Sequence, residues 1–387
     1  SAVQQEFTNF EIIAVNSHGS EEAAELIASF NDPRIRYITP AAEDSHLNWD
    51  IGYRSARGEY ILWLDDDNYL LPHALSTLAR IIQLHHPDIA TGDHIHWYEA
   101  LHPVKSLRNR IAIPLPLFAH TLMQVDARNY IRKLYGMPIA GTPVRARFHF
   151  SETALRRDYL EKILGPDGHI DFTGTTIRLY QLALLASTPS IWYVDSPIAI
   201  VIQMGDSMAY KWSNKRARQS RFVARYALSP VSADLYCNYI IENLLKAKEV
   251  FPDALAEFEI NWNSFLKTYT RELLFLEQSW SQFFHMWKEV PAVMEKRTSF
   301  SPTERRMIFL GRLSIALGIK ILKEFHLYGI VREIGSKKQD SLKKSLILNG
   351  NCYSIKNIQE CASLLPHIIE EELRIPFRDF SGTRESL

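Results

Sequence analysis

Residues 58–68 read GEYILWLDDDN, and this stretch decides how the rest of the chain is interpreted. An apolar run over 60–64 leads directly into three adjacent carboxylates, Asp65, Asp66 and Asp67. A short continuous apolar run is typical of a strand that is buried on both faces, as in a parallel sheet. The carboxylates then stand at the carboxyl end of the strand, which is the edge where open α/β sheets bind ligands.

Three adjacent negative charges beside an apolar run repel one another, so they need either solvent or a cation among them. Oxygen ligands of this kind suit Mg²⁺ or Mn²⁺, usually shared with a substrate phosphate. The alternative is a solvated turn at the end of a strand, and the three aspartates alone favour that alternative. The surrounding sequence therefore has to decide between a turn and a metal site.

The first part of the chain alternates between strand and helix patterns. Short apolar runs predict strands at 11–15, 34–38 and 60–64. Apolar residues at helical spacing predict helices from Ser20, over 47–56 and from Pro72. This alternation predicts an α/β fold, a Rossmann-like, mainly parallel sheet sandwiched by helices.

The pattern changes in the second half of the chain. Further strands are predicted at 88–98 and 191–194, and another apolar stretch covers 198–202, whereas the pattern from about residue 213 onward is almost wholly helical. We therefore expect two domains, a nucleotide-binding domain over 1–210 and a mostly α-helical C-terminal domain over 211–387.

Composition limits the partners and the compartment. The 387 residues contain 44 Lys plus Arg and 44 Asp plus Glu, so no net field draws the protein to nucleic acid. The three cysteines lack metal-ligand spacing and favour a reducing, cytoplasmic setting. No run reaches the roughly 18 apolar residues that span a bilayer, and the first residues lack the pattern of a signal peptide.

Several segments in order resemble one known family. Residues 48–52 read NWDIG, residues 56–61 read ARGEYI, and both precede the aspartate triplet at the spacing found in the glycosyltransferase family 2 enzymes of the GT-A fold. Residues 193–197 and 205–207 are similar to later segments of that family. Residues 1–13 resemble the end of its first helix and the strand that follows, so the chain is expected to begin inside that helix, without the first strand of the family.

The resemblance implies transfer of a sugar from a nucleotide-diphosphate sugar, most simply a UDP-sugar, to an acceptor hydroxyl. It places Asp66 near the ribose and makes Asp67, with Asp66, the ligand of a Mn²⁺ or Mg²⁺ ion that bridges the diphosphate. Asp65 supports both. The acceptor is expected to be a carbohydrate or a lipid-linked glycan.

Two further positions of the nucleotide-sugar site depart from the family pattern. Asn16 and Ser17 stand where the family usually has acids that contact the base, so the donor nucleotide stays open. Asp50 replaces an asparagine and adds negative charge near the diphosphate, unless Arg54 or Arg57 offsets it.

An inverting transfer also needs a carboxylate that takes the proton of the acceptor hydroxyl. The candidates for this base are Asp171 first and Asp167 second, with His169 a weaker one, and a simple turn before a helix is the alternative. Trp97, Tyr98 and Trp192 are weak candidates for an aromatic surface under the acceptor.

The helical part allows two interpretations. Packing or homo-oligomerisation is the simpler one, and an amphipathic, partly basic helix over 307–331 that touches an anionic membrane is the other. For the whole chain, an active glycosyltransferase is the first hypothesis. A catalytically degraded binding module and another metal-dependent nucleotide-diphosphate enzyme, such as a nucleotidyltransferase, are the alternatives.

Overall fold

The structure is a computed structural model. It describes residues 1–16, 19–39, 45–100, 108–114, 121–134, 151–162, 187, 189–203, 228–231, 236–275, 280–298, 300–324, 345–353 and 355–373. The chain forms two compact units. The first unit consists of 1–128, 143–205 and 344–387, and the second consists of 129–142 and 206–343.

The first unit begins with the predicted strand, helix and strand. Strands β1 (Ile12–Val15) and β2 (Ile35–Ile38) pair in parallel, with Ile12 opposite Ile35. Helix α1 (Glu21–Ser29) connects them, and its N-cap Ser20 accepts a hydrogen bond from the amide of Ala23, 3.3 Å from its Oγ. Helix α2 (Ser45–Ser55) follows where a helix was predicted over 47–56.

The remaining strands of the first unit form one larger sheet. They are β3 (Tyr60–Leu62), β4 (Tyr69–Leu70), β5 (Ile89–Tyr98), β6 (Arg110–Pro114), β7 (Leu122–Val125), β8 (Ala154–Arg156), β9 (Ile191–Gln203) and β10 (Ser345–Asn349). Helix α3 (Ala74–His85) follows β4 and α5 (Arg157–Glu161) follows β8. Helix α4 (Ala127–Leu134) follows β7, and its residues 129–134 belong to the second unit.

Strand β5 lies at the centre of this sheet. It pairs in parallel with β9 and antiparallel with β6 and β8, while β10 extends the sheet beyond β6 and β3 extends it beyond β8. The predicted parallel direction holds for β1 with β2 and for β5 with β9, and the other ladders among the described strands are antiparallel. The predicted fold class, an α/β sheet with helices followed by a mostly helical region, is confirmed.

Strand β9 joins two runs that the sequence pattern separates. Its pairing with β5 shifts register around Asp93 and Pro197. At this bulge the backbone of β9 approaches Gly92, where a Cβ would lie 2.8 Å from Ile198 Cγ2 and 2.9 Å from the Ser196 carbonyl oxygen. Only glycine fits there without a local shift, so Gly92 lets β9 continue as one strand through Pro197.

Described residues after position 344 contribute to the sheet and the core of the first unit. Strand β10 pairs with β6, and helix α12 (Ile358–Leu373) contributes the fully buried Cys361 and Leu365 to a cluster with Ile95 and Ile111. A strand of five residues inside a helical pattern gives too short a signal to be recognised. The predicted boundary near residue 210 stays a prediction, and 344–387 clusters with the first unit.

The second unit is built of helices, as predicted for this part of the chain. They are α6 (Tyr236–Val250), α7 (Pro252–Leu255), α8 (Trp262–Phe275), α9 (Trp280–Trp287), α10 (Glu289–Arg297) and α11 (Pro302–Glu324). Phe258, Tyr269 and Trp287 are buried in it. No helix in the described ranges combines the length and the apolar character needed to cross a membrane.

Candidate active site

The aspartate triplet lies in a tight turn between β3 and β4. Residues 60–62 form the strand, residues 63–64 lead out of it, and the backbone amide of Asn68 donates to the carbonyl of Asp65 over 3.1 Å. Asp66 is exposed, whereas Asp65 and Asp67 are half-buried. The carboxylates thus follow the carboxyl end of a strand, as predicted, although the strand ends at Leu62 and not at Leu64. The expectation of a parallel strand buried on both faces is wrong, because the described ladder of β3 to β8 is antiparallel and only Ile61 of the strand is buried.

Asp65 is fixed by side chains as well as by the turn. Its Oδ2 accepts a hydrogen bond from Ser151 Oγ at 2.9 Å and lies 3.5 Å from Asn68 Nδ2. Ser151 lies three residues before the first residue of β8, which pairs with β3 in antiparallel direction. The neighbouring strand therefore sets the orientation of the first aspartate.

The surroundings of Asp67 disfavour the charged form of its carboxyl group. Burial, and then the charges of Asp65 and Asp66, raise the pKa of Asp67 to about 6. A carboxylate destabilised in this way gains most from a nearby cation, because the cation offsets both the burial and the repulsion. The residues present therefore suit a hard divalent cation such as Mg²⁺ or Mn²⁺.

The described part of the chain contains no ready-made cage, since no group of three or more His, Cys, Asp or Glu side chains in it is arranged to hold a metal ion. Mg²⁺ is commonly held by one or two carboxylates together with substrate phosphates and water. Asp66 and Asp67 could hold a cation in this way only together with a phosphate ligand. The paired His94 and His96 of β5 add no such group within the described residues.

Asp50 lies on α2 and has its own counter-charge. Its carboxylate Oδ2 is 2.9 Å from Arg54 Nε, one helical turn further along, and the residue is 4% exposed. The extra negative charge at this position is thus offset by Arg54, one of the two arginines that the sequence offers for it. Arg57 instead donates its backbone amide to Glu11.

Asn16 follows β1 and forms hydrogen bonds to the loop that follows it and to β2. Its Nδ2 donates to the hydroxyl of Tyr37 at 2.7 Å and to the carbonyl of Ser20 at 3.0 Å, and its backbone amide donates to Ile38. Its role at a nucleotide stays a prediction. Ser17, Asp167, His169 and Asp171 lie outside the described residues, and so does the segment 205–207.

Two of the aromatic candidates contact other side chains of the protein. Trp97 is 5% exposed and donates from Nε1 to Asn109 Oδ1 at 3.0 Å, so it belongs to the core and does not form an acceptor platform. Trp192 stacks on His85 with ring centroids 3.5 Å apart. Tyr98 is half-buried, and its proposed contact with an acceptor stays a prediction.

Sequence reasoning missed the residues that support the triplet. Ser151 and Glu152 lie in the short segment that leads into β8, and Glu152 Oε1 accepts a hydrogen bond from Asn68 Nδ2 at 2.9 Å. They belong to no motif and lie 84 or more positions from their partners in the chain. Only the antiparallel pairing of β3 with β8 brings them to the site, and the strand pattern gave no sign of that pairing.

Comparison with known proteins agrees with the sequence motifs. Residues 1–164 match the model of the family described as Glycosyl transferase family 2. The chain is 26% identical over 102 residues to Glycosyltransferase GlyA of Streptococcus pneumoniae serotype 4 (strain ATCC BAA-334 / TIGR4). The match to the family model covers less than half of the 387 residues, and it makes residues 1–164 similar to glycosyl transferase family 2 domains. The match to GlyA covers 26% of this chain and 15% of the relative, a small part of its length.

Solved structures give weaker likenesses. S. aureus TarS 1–349 in complex with UDP-GlcNAc is similar with a TM-score of 0.46 and 13% identity, over 76% of this chain and 75% of that chain. TarS 1–349 in complex with UDP has a TM-score of 0.45 and 13% identity, over 90% of both chains. With TM-scores below 0.5, these likenesses carry no weight for the site.

Proposed function

We propose that this chain transfers a sugar from a nucleotide-diphosphate sugar to an acceptor hydroxyl, with a divalent cation at Asp66 and Asp67 and with inversion at the anomeric carbon. The observation that carries the proposal is the crowded triplet, in which the pKa of Asp67 is raised to about 6 while Asp65 is held by Ser151. The match of residues 1–164 to the model of glycosyl transferase family 2 supports the same reaction class.

Each residue has a distinct part in this reaction. Asp66 and Asp67 would hold the cation, which would supply charge neutralisation for the leaving diphosphate. The acceptor oxygen bonds to the anomeric carbon as the bond from that carbon to the diphosphate oxygen breaks. The acceptor proton passes to a carboxylate, for which Asp171 and then Asp167 are the proposed bases.

The nucleotide is proposed to be UDP, on the family resemblance alone. Asn16 and Ser17 stand where the family has acids, so a panel of nucleotides is the appropriate test. Asp50 adds little charge to the donor site, because Arg54 pairs with it at 2.9 Å. A diphosphate thus meets a nearly neutral α2 at this position.

The proposal is tested by thermal unfolding with UDP, GDP, CDP and dTDP, each with and without Mn²⁺. A ligand at about 100 times its Kd stabilises the folded state by about 2.7 kcal/mol. One nucleotide is expected to raise Tm only with Mn²⁺ present, and Asp67→Ala is expected to abolish this rise. Asp253→Ala, at an exposed aspartate of α7, is the matched control and is expected to behave as wild type.

Two results would count against the site. The first is that no nucleotide stabilises the wild-type chain, and the second is that Asp67→Ala keeps its Mn²⁺ dependence. Turnover of the stabilising nucleotide's sugar donor then separates an enzyme from a binding module, since a module binds the donor without releasing the nucleotide.

The acceptor is proposed to be a carbohydrate or a lipid-linked glycan. Contact with a membrane surface is supported by α11, on which Met307, Leu310, Ile315 and Ile321 are each at least 45% exposed. An exposed apolar face of a helix can lie in the interface of a bilayer. Pairing of two copies through the same face is the alternative use of this surface.

A further inference from the structure

Glu152 is a fully buried acid with an unusual backbone conformation. Its side chain has 0% relative exposure and its φ angle is +60°, in the left-handed region that residues other than glycine rarely adopt. Its backbone amide donates to the carbonyl of Trp63 over 2.7 Å. A backbone conformation of this kind persists only where the surrounding structure fixes it, and such positions concentrate at functional sites.

The two carboxylate oxygens of Glu152 have different neighbours. Oε1 accepts the hydrogen bond from Asn68 Nδ2 at 2.9 Å, and Oε2 lies 3.7 Å from Nε2 of the buried His94 on β5. Asn68 in turn accepts a hydrogen bond at Oδ1 from the backbone amide of Ile202 on β9, at 3.2 Å. Asn68 is thus hydrogen-bonded both to the segment that leads into β8 and to β9.

Asn68 is also the residue that closes the aspartate turn. Its backbone amide donates to the Asp65 carbonyl at 3.1 Å, and Ser151, next to Glu152, holds the Asp65 carboxylate at 2.9 Å. Ser151 therefore hydrogen-bonds to Asp65 at the first position of the turn, and Glu152 hydrogen-bonds to Asn68 at the last. Rotation of the Asn68 side chain would break its hydrogen bond to Glu152 and so free the last position of the turn.

We propose that Glu152 is a positioning residue for the cation and diphosphate site, acting through Asn68 to hold the turn of Asp65, Asp66 and Asp67. Because Glu152 is fully buried, it does not itself touch a substrate. The expected effect of Glu152 on nucleotide binding rests on the proposed function. The hydrogen bonds that link Glu152 to Asn68, and Asn68 to Asp65, exist without any ligand.

The first experiment measures binding of UDP in the presence of Mn²⁺, or of whichever nucleotide stabilises the wild type, by titration calorimetry. Residues that orient metal ligands typically change metal affinity or activity by about 10- to 100-fold when they are replaced. We expect Glu152→Ala and Asn68→Ala each to weaken binding by at least about tenfold on this scale. The double variant should be no weaker than the weaker single variant, because both act through one hydrogen bond.

Two further variants separate positioning from general stability. Glu152→Gln keeps an oxygen that can accept from Asn68, so its binding is expected to stay within about threefold of wild type. Asn109→Ala removes another buried residue at positive φ, which holds Trp97 and the Ile355 carbonyl. It is expected to lower Tm and to leave binding unchanged.

The proposal is overturned if Glu152→Ala binds as tightly as wild type, if Glu152→Gln loses as much as Glu152→Ala, or if Asn109→Ala weakens binding to the same degree. Hydrogen exchange of the peptide covering 63–70, measured without ligand, tests the positioning role of Glu152 separately from the proposed function. Faster exchange in Glu152→Ala supports this role, even where the wild type binds no nucleotide, and unchanged exchange refutes it.

Discussion

Arg54 Nε lies 2.9 Å from Asp50 Oδ2, and the two side chains are 44% and 5% exposed. The acid at position 50 therefore has a partner that it meets one helical turn along α2. An exposed arginine paired with a buried carboxylate is only partly screened by solvent. The pair keeps the surface of α2 close to neutral where the resemblance places the diphosphate.

Replacement of Asp50 by the asparagine typical of the family is expected to change nucleotide affinity little in the wild-type chain. In an Arg54→Gln background the same change should raise affinity for the Mn²⁺ complex about fivefold, because the uncompensated charge is then removed, an effect on the order of 1 kcal/mol. Titration calorimetry on the four members of this double-mutant cycle, at low and physiological salt, measures the coupling. Equal effects of Asp50→Asn in both backgrounds would contradict the compensation by Arg54.

Replacement of Asp67 tests whether its negative charge lowers the stability of the metal-free protein. Its folded pKa of about 6 lies above the ordinary value of 3.8, so its charge lowers stability above pH 6 and that cost is relieved as the pH falls through 6. In EDTA, Asp67→Asn is therefore expected to raise Tm at pH 7, and the difference from wild type should shrink by pH 5. Differential scanning calorimetry across this range measures it. A lower Tm for Asp67→Asn at pH 7 would mean that the carboxylate is stabilised in the metal-free protein.

The carboxylates could be found from sequence because their signal is local. An apolar run, a turn and three adjacent acids occupy one short stretch, and the strand before the acids has to end there. Ser20 as an N-cap could be found for the same reason, since a cap is read within one turn of helix.

The supporting residues could not be found in this way. Glu152 meets Asn68 because β8 runs antiparallel to β3, and the three residues of β8 give no periodic pattern. Strand β10 was missed for a related reason, because its pairing with β6 is a contact between segments far apart in the chain. Long-range pairing is determined by the whole sheet and leaves little trace in any single segment.

The C-terminal segment is expected to be needed for folding of the first unit. Leu365 has no exposed surface, and its replacement by Ala should cost about 2–5 kcal/mol of unfolding free energy through lost burial and a cavity. Leu310→Ala, at a side chain 59% exposed on α11, should change it by no more than about 0.5 kcal/mol. Urea unfolding followed by fluorescence compares the two.

A chain of residues 1–210 extends this test to the predicted domain boundary. It is expected to aggregate or to unfold at lower urea than the full chain, because it lacks β10 and α12. An unfolding midpoint equal to that of the full chain would show that the predicted domain is independent of 344–387.

The exposed face of α11 gives a prediction on membrane contact. Two basic residues of this helix are turned into the second unit, since Arg312 Nη1 lies 3.4 Å from Thr270 Oγ1 and Lys320 lies 4.7 Å from the ring centroid of Trp280. Binding through α11 would then depend on apolar area more than on charge.

We expect sedimentation with anionic vesicles to persist at about 1 M salt, where the Debye length is only about 3 Å, and to be lost in Leu310→Glu combined with Ile315→Glu. Leu84→Glu, at an exposed leucine of α3, is the control. Equal sedimentation of the double variant would exclude this face as the membrane contact, and a doubled solution mass without vesicle binding would assign it to pairing of two copies.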